Sequence, residues 1–258
     1  MTMPLEIVTV ACLKDNYAFI AHDPDTGETA VIDVPEAAPI QAELDRQGWT
    51  VDEILITHHH DDHIAGVEAL REAHPAARVT GAAADAHRLP PLDREVAEAD
   101  TVTIGAEAGE VLDVSGHSVG HIAFHFPASE VAFTGDSLMA LGCGRIFEGT
   151  PEMMWDSLRK LAALPPETTI CSGHEYTAAN AAFAVIIEPD NAALTARKAQ
   201  IDSARTKGQP TVPTQLATEL ATNPFLRAGL DEVKSAIGMA GAADAAVFAE
   251  IRKRKDNF

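Results

Sequence analysis

The segment THHHDDH at residues 57–63 places four histidines and two acids within seven positions, at the end of the β-like run EILIT (53–57). Side chains alternate along an extended chain, so His58 and His60 point to one side of this run and His59 to the other. The apolar residues of the following stretch, IAGVEALREAH, recur at helical spacing, which predicts a helix. The fold must therefore bring a strand end and a helix start to a point where two imidazoles face the same way.

Three further polar residues follow β-like runs that end in glycine. His117 follows VLDVSG, Asp136 follows VAFTG and His174 follows TTICSG. Glycine permits the sharp backbone turn that aims a side chain at a shared centre. Imidazole and carboxylate are ligands for zinc, iron and manganese, and the whole set could hold two metals that share a bridging carboxylate. This set comprises His58, His60, Asp62, His63, His117, Asp136 and His174.

The charge of the chain argues against several classes of partner. Asp and Glu outnumber Lys and Arg by 39 to 19, a net charge of −20. A phosphate-rich partner would be repelled over most of the surface, so we expect neither nucleic-acid nor membrane binding. The N-terminal MTMPLEIVTV has no basic region before an apolar one, no apolar run approaches a membrane span, and the three cysteines form no CxxC. These features predict a cytoplasmic protein.

The pattern of the chain changes near residue 176. Residues 1–175 alternate short β-like runs with turns and a few helical stretches, and the turn PDTG (24–27) predicts a hairpin. Within MMWDSLRKLAAL, Met154, Leu158 and Leu161 share one helical face. Residues 176–258 are alanine-rich and helical in pattern. We therefore predict an α/β (α+β) fold with a β-rich metal domain over 1–175 and a helical domain over 176–258.

Several motifs resemble a known family. THHHDDH, GHSVGH, FTGDS and SGHEYT resemble, in order and spacing, the signature of the metallo-β-lactamase superfamily. More narrowly, the chain resembles the glyoxalase II (hydroxyacylglutathione hydrolase) family. The segments that carry this narrower resemblance are LKDNY, GCGRIFEGT, CSGHEYT, EPDNAAL, TVP, NPFLR and RKRKDNF.

The resemblance implies a role for each ligand candidate. His58, His60 and His117 would hold one metal, a second would be held by Asp62, His63 and His174, and Asp136 would bridge both. Asp62 and Asp136 are the candidate catalytic residues, whereas His59 and Asp61 are left as spacers. The implied fold is an αββα sandwich followed by a C-terminal helical domain that binds substrate. The implied cofactors are two divalent cations, with zinc preferred and iron or manganese also possible.

The resemblance also implies the reaction. Hydroxide formed on the two metals would hydrolyse S-(2-hydroxyacyl)glutathione, above all S-D-lactoylglutathione, to D-lactate and glutathione, the second step of methylglyoxal detoxification. Substrate contacts are implied for Arg145, Tyr176, Arg252 and Lys255. Phe147 stands where family members often carry tyrosine, so one substrate hydrogen bond is absent, worth about 1 kcal/mol.

Two alternatives use the same scaffold. A persulfide dioxygenase would need a single iron held by two histidines and one carboxylate. A lactone or lactam hydrolase of the same superfamily is the other. The complete seven-ligand set and the glutathione-type tail favour the thioester hydrolase, for which we expect a monomer with a small-molecule substrate.

Overall fold

The computed structural model describes residues 3–258, which form two compact units. One unit contains the described residues up to Asp113 together with Val119–Gly135, and the other contains Val114–Ser118 and Asp136–Phe258. The predicted domain boundary after residue 175 stays a prediction. Among the described residues, no helix combines the length and apolarity needed to cross a membrane.

A mixed six-stranded sheet occupies the first half of the first unit. Its strands follow chain order across the sheet. They are β1 (Glu6–Cys12), β2 (Asn16–His22), β3 (Thr29–Ile32), β4 (Glu53–Leu55), β5 (Arg78–Ala82) and β6 (Arg94–Val96). Strands β1 to β3 pair antiparallel, and β3 to β6 pair parallel. The predicted PDTG hairpin is confirmed between β2 and β3, where Gly27 adopts a φ of +84°.

Helices connect the parallel strands and cover this sheet. The helix α1 (Ala37–Gln47) lies between β3 and β4, and α2 (Asp61–Ile64) and α3 (Val67–Ala73) lie between β4 and β5. Ile40 and Leu44 of α1 and Leu70 of α3 are fully buried in one apolar cluster with sheet residues such as Ile54. Burial of such side chains stabilises the fold by about 1.5–3 kcal/mol each.

The helix predicted from IAGVEALREAH is interrupted at Gly66. The Gly66 N–H donates to the Val34 carbonyl at 2.9 Å, outside any helical pattern. A Cβ at this position would lie 2.7 Å from the Ala37 nitrogen. This close backbone approach separates α2 from α3, so the predicted helix is present over Val67–Ala73 and begins only after Gly66.

A second sheet in the first unit is an antiparallel meander. Its strands are β7 (Thr101–Ile104), β8 (Glu107–Asp113), β9 (Ile122–Phe126) and β10 (Val131–Gly135). The Phe133 ring of β10 meets the Phe19 ring of β2 with 5.7 Å between centroids. Both rings are buried, so the two sheets of this unit share an aromatic core.

The second unit is mainly helical. Its elements are β11 (Leu138–Met139), β12 (Gly142–Cys143), α4 (Pro151–Ala162), β13 (Thr169–Ser172), α5 (Thr177–Ile187), α6 (Ala192–Thr206), β14 (Thr214–Gln215), α7 (Leu216–Thr222), α8 (Asp231–Ala236) and α9 (Asp244–Asp256). Met154, Leu158 and Leu161 of α4 are fully buried, which confirms the predicted face. Trp155 of α4 contacts Phe248 of α9 with ring centroids 5.9 Å apart.

Candidate metal centre

The first half of the ligand set follows β4. His58 is fully buried, and its Nε2 lies 3.1 Å from Nδ1 of His60. The two rings meet edge to face with centroids 4.7 Å apart. The predicted convergence of these imidazoles on one side of the strand end is therefore observed. The ring of His121 stacks on His58 from another direction, with centroids 4.5 Å apart.

Asp33 orients two of these histidines and was not predicted. It follows β3 in a left-handed conformation with φ +57° and is buried. Its Oδ2 accepts hydrogen bonds from Thr57 Oγ1 and His63 Nδ1, each at 2.8 Å, and its Oδ1 accepts from the Thr57 amide at 2.8 Å. Asp33 and the two histidines offer ligand atoms within 4.8 Å of one another. Because its oxygens already accept three bonds, Asp33 serves as an orienting carboxylate.

These hydrogen bonds determine the tautomers. A carboxylate only accepts, so Nδ1 of His63 carries the proton and Nε2 keeps its lone pair. The single Thr57 hydroxyl proton points at Asp33, so Thr57 Oγ1 accepts from His58 Nδ1 at 3.0 Å. His58 Nε2 then also keeps its lone pair. Both histidines are in the form that binds a metal.

Asp62 is held by Asn16 at the start of β2. The Asn16 amide donates to Asp62 Oδ2 at 3.0 Å and to the Asp62 carbonyl at 2.9 Å. Asn16 is buried and belongs to the LKDNY motif. The motif therefore has a physical role, since it fixes the carboxylate of a ligand candidate 46 residues away.

The second half of the ligand set lies in the second unit. Asp136 follows β10, and its Oδ2 lies 3.5 Å from His117 Nε2 and 3.3 Å from His174 Nε2. All three side chains are buried. One carboxylate oxygen placed beside two imidazole nitrogens is the arrangement expected of a bridging ligand.

The GCGRIF loop holds His117 through its backbone. His117 Nδ1 donates to the Arg145 carbonyl at 2.8 Å, which leaves Nε2 unprotonated. The Phe147 amide donates to the His117 carbonyl at 3.2 Å. A Cβ at Gly144 would lie 2.1 Å from the Asp136 carbonyl oxygen and 2.8 Å from His117 Nδ1. Only glycine permits this close approach.

The predicted aromatic contacts lie against these ligands. The Tyr176 ring stacks on His174 with centroids 4.5 Å apart and 5° between planes. The Phe147 ring meets His117 edge to face at 5.3 Å. Phe147 is 64% exposed and Tyr176 is 40% exposed. Two apolar faces beside the ligand candidates are thus accessible from solvent.

The predicted cationic contacts differ in their surroundings. The Arg145 side chain is 65% exposed, and its Nε lies 3.9 Å from Asp256. Arg252 is buried and donates to the Cys143 carbonyl at 2.9 Å and to Asp256 at 2.8 Å. The guanidinium of Arg252 is thus engaged with the protein, and its contact with substrate stays a prediction.

Lys255 lies between two aromatic rings. Its Nζ is 5.4 Å from the Phe183 centroid and 5.1 Å from the Phe258 centroid, and it donates to the Ala179 carbonyl at 3.1 Å. Burial lowers the pKa of Lys255 below its ordinary value, and the neighbouring guanidiniums act in the same direction. The ammonium is therefore restrained but easier to deprotonate than that of a free lysine.

A buried network supports the hairpin of β11 and β12, which precedes Arg145. The fully buried Glu219 pairs with Arg197 and accepts from the Leu141 amide at 2.8 Å. Asn223 donates to the Met139 and Gly142 carbonyls at 3.2 and 3.0 Å. The NPFLR motif, which contains Asn223, thus fixes the backbone that leads into the GCGRIF loop.

The spacing of the donor atoms fits divalent cations. Two ligands at about 2.0–2.1 Å from a tetrahedral zinc lie about 3.4 Å apart. The three pairs described above are 3.1, 3.5 and 3.3 Å apart. The donors are imidazole nitrogens with lone pairs and carboxylate oxygens, the ligands that zinc, iron and manganese accept. The groups of His and Asp side chains that contain these donors support divalent-metal binding.

Sequence comparison places the chain among known proteins. The profile described as "Metallo-beta-lactamase superfamily" matches residues 15–174, and "Hydroxyacylglutathione hydrolase C-terminus" matches residues 175–258. A hydroxyacylglutathione hydrolase of Cereibacter sphaeroides (strain ATCC 17025 / ATH 2.4.3) is 67% identical over 99% of this chain and 100% of its own length. One of Ruegeria pomeroyi is 62% identical with the same coverage.

Solved structures confirm the fold. The BLEG-1 B3 metallo-beta-lactamase aligns with a TM-score of 0.67 and 22% identity over 86% of this chain and 99% of its own. ETHE1 from Myxococcus xanthus aligns with a TM-score of 0.65 and 24% identity over 97% and 90% of the two chains. At such identities the likeness shows the fold alone. The predicted metallo-β-lactamase fold class is confirmed. With the full-length relatives and the profile that matches most of its length, the chain belongs to the hydroxyacylglutathione hydrolase family of the metallo-β-lactamase superfamily.

Proposed function

We propose that the chain hydrolyses the thioester of S-(2-hydroxyacyl)glutathione, with S-D-lactoylglutathione as its principal substrate. The products are D-lactate and glutathione, which corresponds to the second step of methylglyoxal detoxification. The observation that carries this proposal is the 67% identity over the full length of a relative named for this activity. We further propose that the enzyme is a cytoplasmic monomer.

The seven candidate ligands are assigned to two zinc ions. His58, His60 and His117 would hold one ion, Asp62, His63 and His174 would hold the other, and Asp136 would be shared by both. Donor spacings close to the roughly 3.4 Å of a tetrahedral site support this assignment. When bound, two such cations polarise the thioester carbonyl and lower the pKa of a water to about 7.

The protein prepares its ligands and receives the substrate. Asp33 and the Arg145 carbonyl hold protons on the Nδ1 atoms of His63 and His117, which leaves the Nε2 lone pair of each ring for a metal. The leaving group is a thiolate whose conjugate acid has a pKa of about 8.5, so its departure needs little help from a general acid. Asp62 and Asp136 act as ligands.

Substrate recognition depends on local cations and aromatic faces. Glutathione carries two carboxylates, which the net charge of −20 would repel without a basic patch. We assign Arg145, Arg252 and Lys255 to this patch and the rings of Tyr176 and Phe147 to apolar contact. Arg252 also donates a hydrogen bond to the Cys143 carbonyl. Its replacement should therefore raise KM in two ways, by removing a cation that binds substrate and by loosening the backbone at Cys143.

The decisive experiment compares substrates on the metal-loaded enzyme. Steady-state rates are measured on S-D-lactoylglutathione, a β-lactam and a lactone, and oxygen uptake is measured with glutathione persulfide. We expect turnover of the thioester alone, in keeping with relatives at 54–67% identity that are named hydroxyacylglutathione hydrolases. Absence of thioesterase activity from protein with two metals per chain would refute the proposal. Oxygen uptake with one iron per chain would favour the persulfide dioxygenase.

A further inference from the structure

We propose that His59, the residue between two ligand candidates, positions His58 and His60 through a hydrogen bond to the buried Asp85, which is itself paired with Arg88. This inference rests on the proposed metal-dependent function. It assigns a role to a histidine that alternation along the strand directs away from the metal.

The contact of His59 is specific. Its Nδ1 lies 2.8 Å from Oδ2 of Asp85, and Asp85 is fully buried. The other oxygen of Asp85 accepts from Nε of Arg88, so the carboxylate is paired with a guanidinium. Because a carboxylate only accepts, Nδ1 of His59 carries the proton, and the hydrogen bond is charge-assisted. A buried, paired carboxylate is a rigid anchor.

The same carboxylate supports the segment on the other side of His58. Arg88 donates to the Val119 carbonyl at 2.9 Å. Gly120, with φ +90°, packs directly on Asp85, where a Cβ would lie 2.9 Å from Asp85 Cβ. The next residue, His121, stacks on His58 with 14° between ring planes. Asp85 therefore fixes both the residue after His58 and the ring that covers it.

Anchoring the middle residue of HxH determines where its neighbours point. In an extended segment, the directions of residues 58 and 60 follow from the backbone torsions at residue 59. The helix after His60, α2, has only four residues and gives limited support. Ligand geometry must hold within about 10–20° to be productive. Fixing His59 therefore restrains the directions in which the side chains of His58 and His60 leave the backbone.

A matched pair of variants separates this role from general stability. His59→Ala removes the hydrogen bond, whereas His59→Asn keeps an N–H donor near the position of Nδ1. Zinc affinity is measured by competition with a chromophoric chelator, and kcat and KM are measured on the thioester. We expect His59→Ala to lower zinc affinity about 10- to 100-fold, as is typical for loss of a group that orients a ligand. His59→Asn should recover most of the loss, and KM should change little in either variant.

A second carboxylate serves as the control. Glu53 in β4 is buried and paired with Arg78, but lies at the far end of the strand from His58. Glu53→Gln should leave zinc affinity unchanged. Asp85→Asn, which keeps the size of the anchor and removes its charge, should lower zinc affinity in the same direction as His59→Ala. It also provides the test if His59→Ala does not fold.

Three results would each overturn the proposal. They are wild-type zinc affinity in both His59→Ala and Asp85→Asn, failure of His59→Asn to recover affinity, or an equal loss in Glu53→Gln. The chelator competition needs no substrate. Loss of zinc affinity in these variants with no thioesterase activity in the wild type would therefore refute the proposed reaction and leave the positioning role intact.

Discussion

Asp33→Asn tests whether one buried carboxylate prepares the ligands of the first unit. The substitution replaces one oxygen by an amide nitrogen and keeps the size of the side chain. Asparagine also tolerates the left-handed conformation at φ +57°, so backbone strain does not confuse the result. What changes is the number of hydrogen bonds that the side chain can accept.

The expected magnitude follows from the three bonds that Asp33 accepts. An asparagine oxygen at the position of Oδ2 keeps the bonds from Thr57 Oγ1 and His63 Nδ1, and its nitrogen then faces the Thr57 amide. One unsatisfied buried donor costs about 1–3 kcal/mol of unfolding free energy. Loss of the charge beside His63 should lower metal affinity at least about 10-fold, or about 1.4 kcal/mol.

Two measurements check these values. Urea unfolding of the metal-free protein gives the stability difference, and chelator competition gives the metal affinity. The control is Asp52→Asn, because Asp52 accepts one bond from the Thr29 amide, which an asparagine oxygen also satisfies. Wild-type stability together with wild-type metal affinity in Asp33→Asn would refute the orienting role of this carboxylate.

Three other predictions concern the second unit and the cysteines. Burial lowers the pKa of Lys255 below its ordinary value of about 10.4. If its ammonium binds substrate, kcat/KM should fall as the pH rises through this lowered pKa. Lys255→Arg should then abolish this limb of the pH profile. An unchanged limb would remove Lys255 from substrate binding. Gly144→Ala should destabilise the protein by about 1–3 kcal/mol and lower metal content, because its Cβ would meet the Asp136 carbonyl, whereas Gly208→Ala, with open space around it, should leave metal content unchanged. Calorimetry measures the stability of the two variants, and metal analysis measures their metal content. Normal metal content in Gly144→Ala would contradict the close approach. Burial raises the pKa of Cys12 and Cys143 to about 11 and that of Cys171 further, so a disulfide reagent at about pH 8 should modify no thiol in the folded protein and all three after denaturation. Rapid reaction of any thiol in the folded state would contradict this.

Local patterns predicted those features of the fold that depend on neighbouring residues. Alternation along EILITHHH is sufficient to place His58 and His60 together, and helical spacing is sufficient to predict the buried face of α4. The short strands β5 and β6, with sequences RVTGA and REV, carry no comparable signal. They form strands because β5 pairs parallel with β4, and β6 pairs parallel with β5. The interruption at Gly66 likewise depends on the backbone of residues 34–37, which no pattern within the helix reveals.

The supporting residues of the metal centre were harder to predict than the ligand candidates. Asp33 and Asn16 act on residues 30 and 46 positions away, so only the folded chain brings them together. An acid that directly follows a buried strand, as in TAVIDV, was the available signal for Asp33. For Arg252, helical spacing predicts that it shares a face with Lys255. The spacing does not predict that its guanidinium is buried against Cys143. The ligand roles and substrate contacts stay predictions.

The GCGRIF loop has a consequence for how enzymes on this scaffold diverge. It holds His117 through the Arg145 carbonyl and the Phe147 amide, which are backbone atoms. Any residue at 145 provides the carbonyl, and any residue except proline at 147 provides the N–H. The side chains at 145 and 147 are the exposed part of the same loop. Mutation can therefore exchange these side chains without altering the backbone that supports His117. If they contact substrate as proposed, the preferred substrate would change with them. Insertions or deletions in this loop would disturb His117 and should be rare among active descendants.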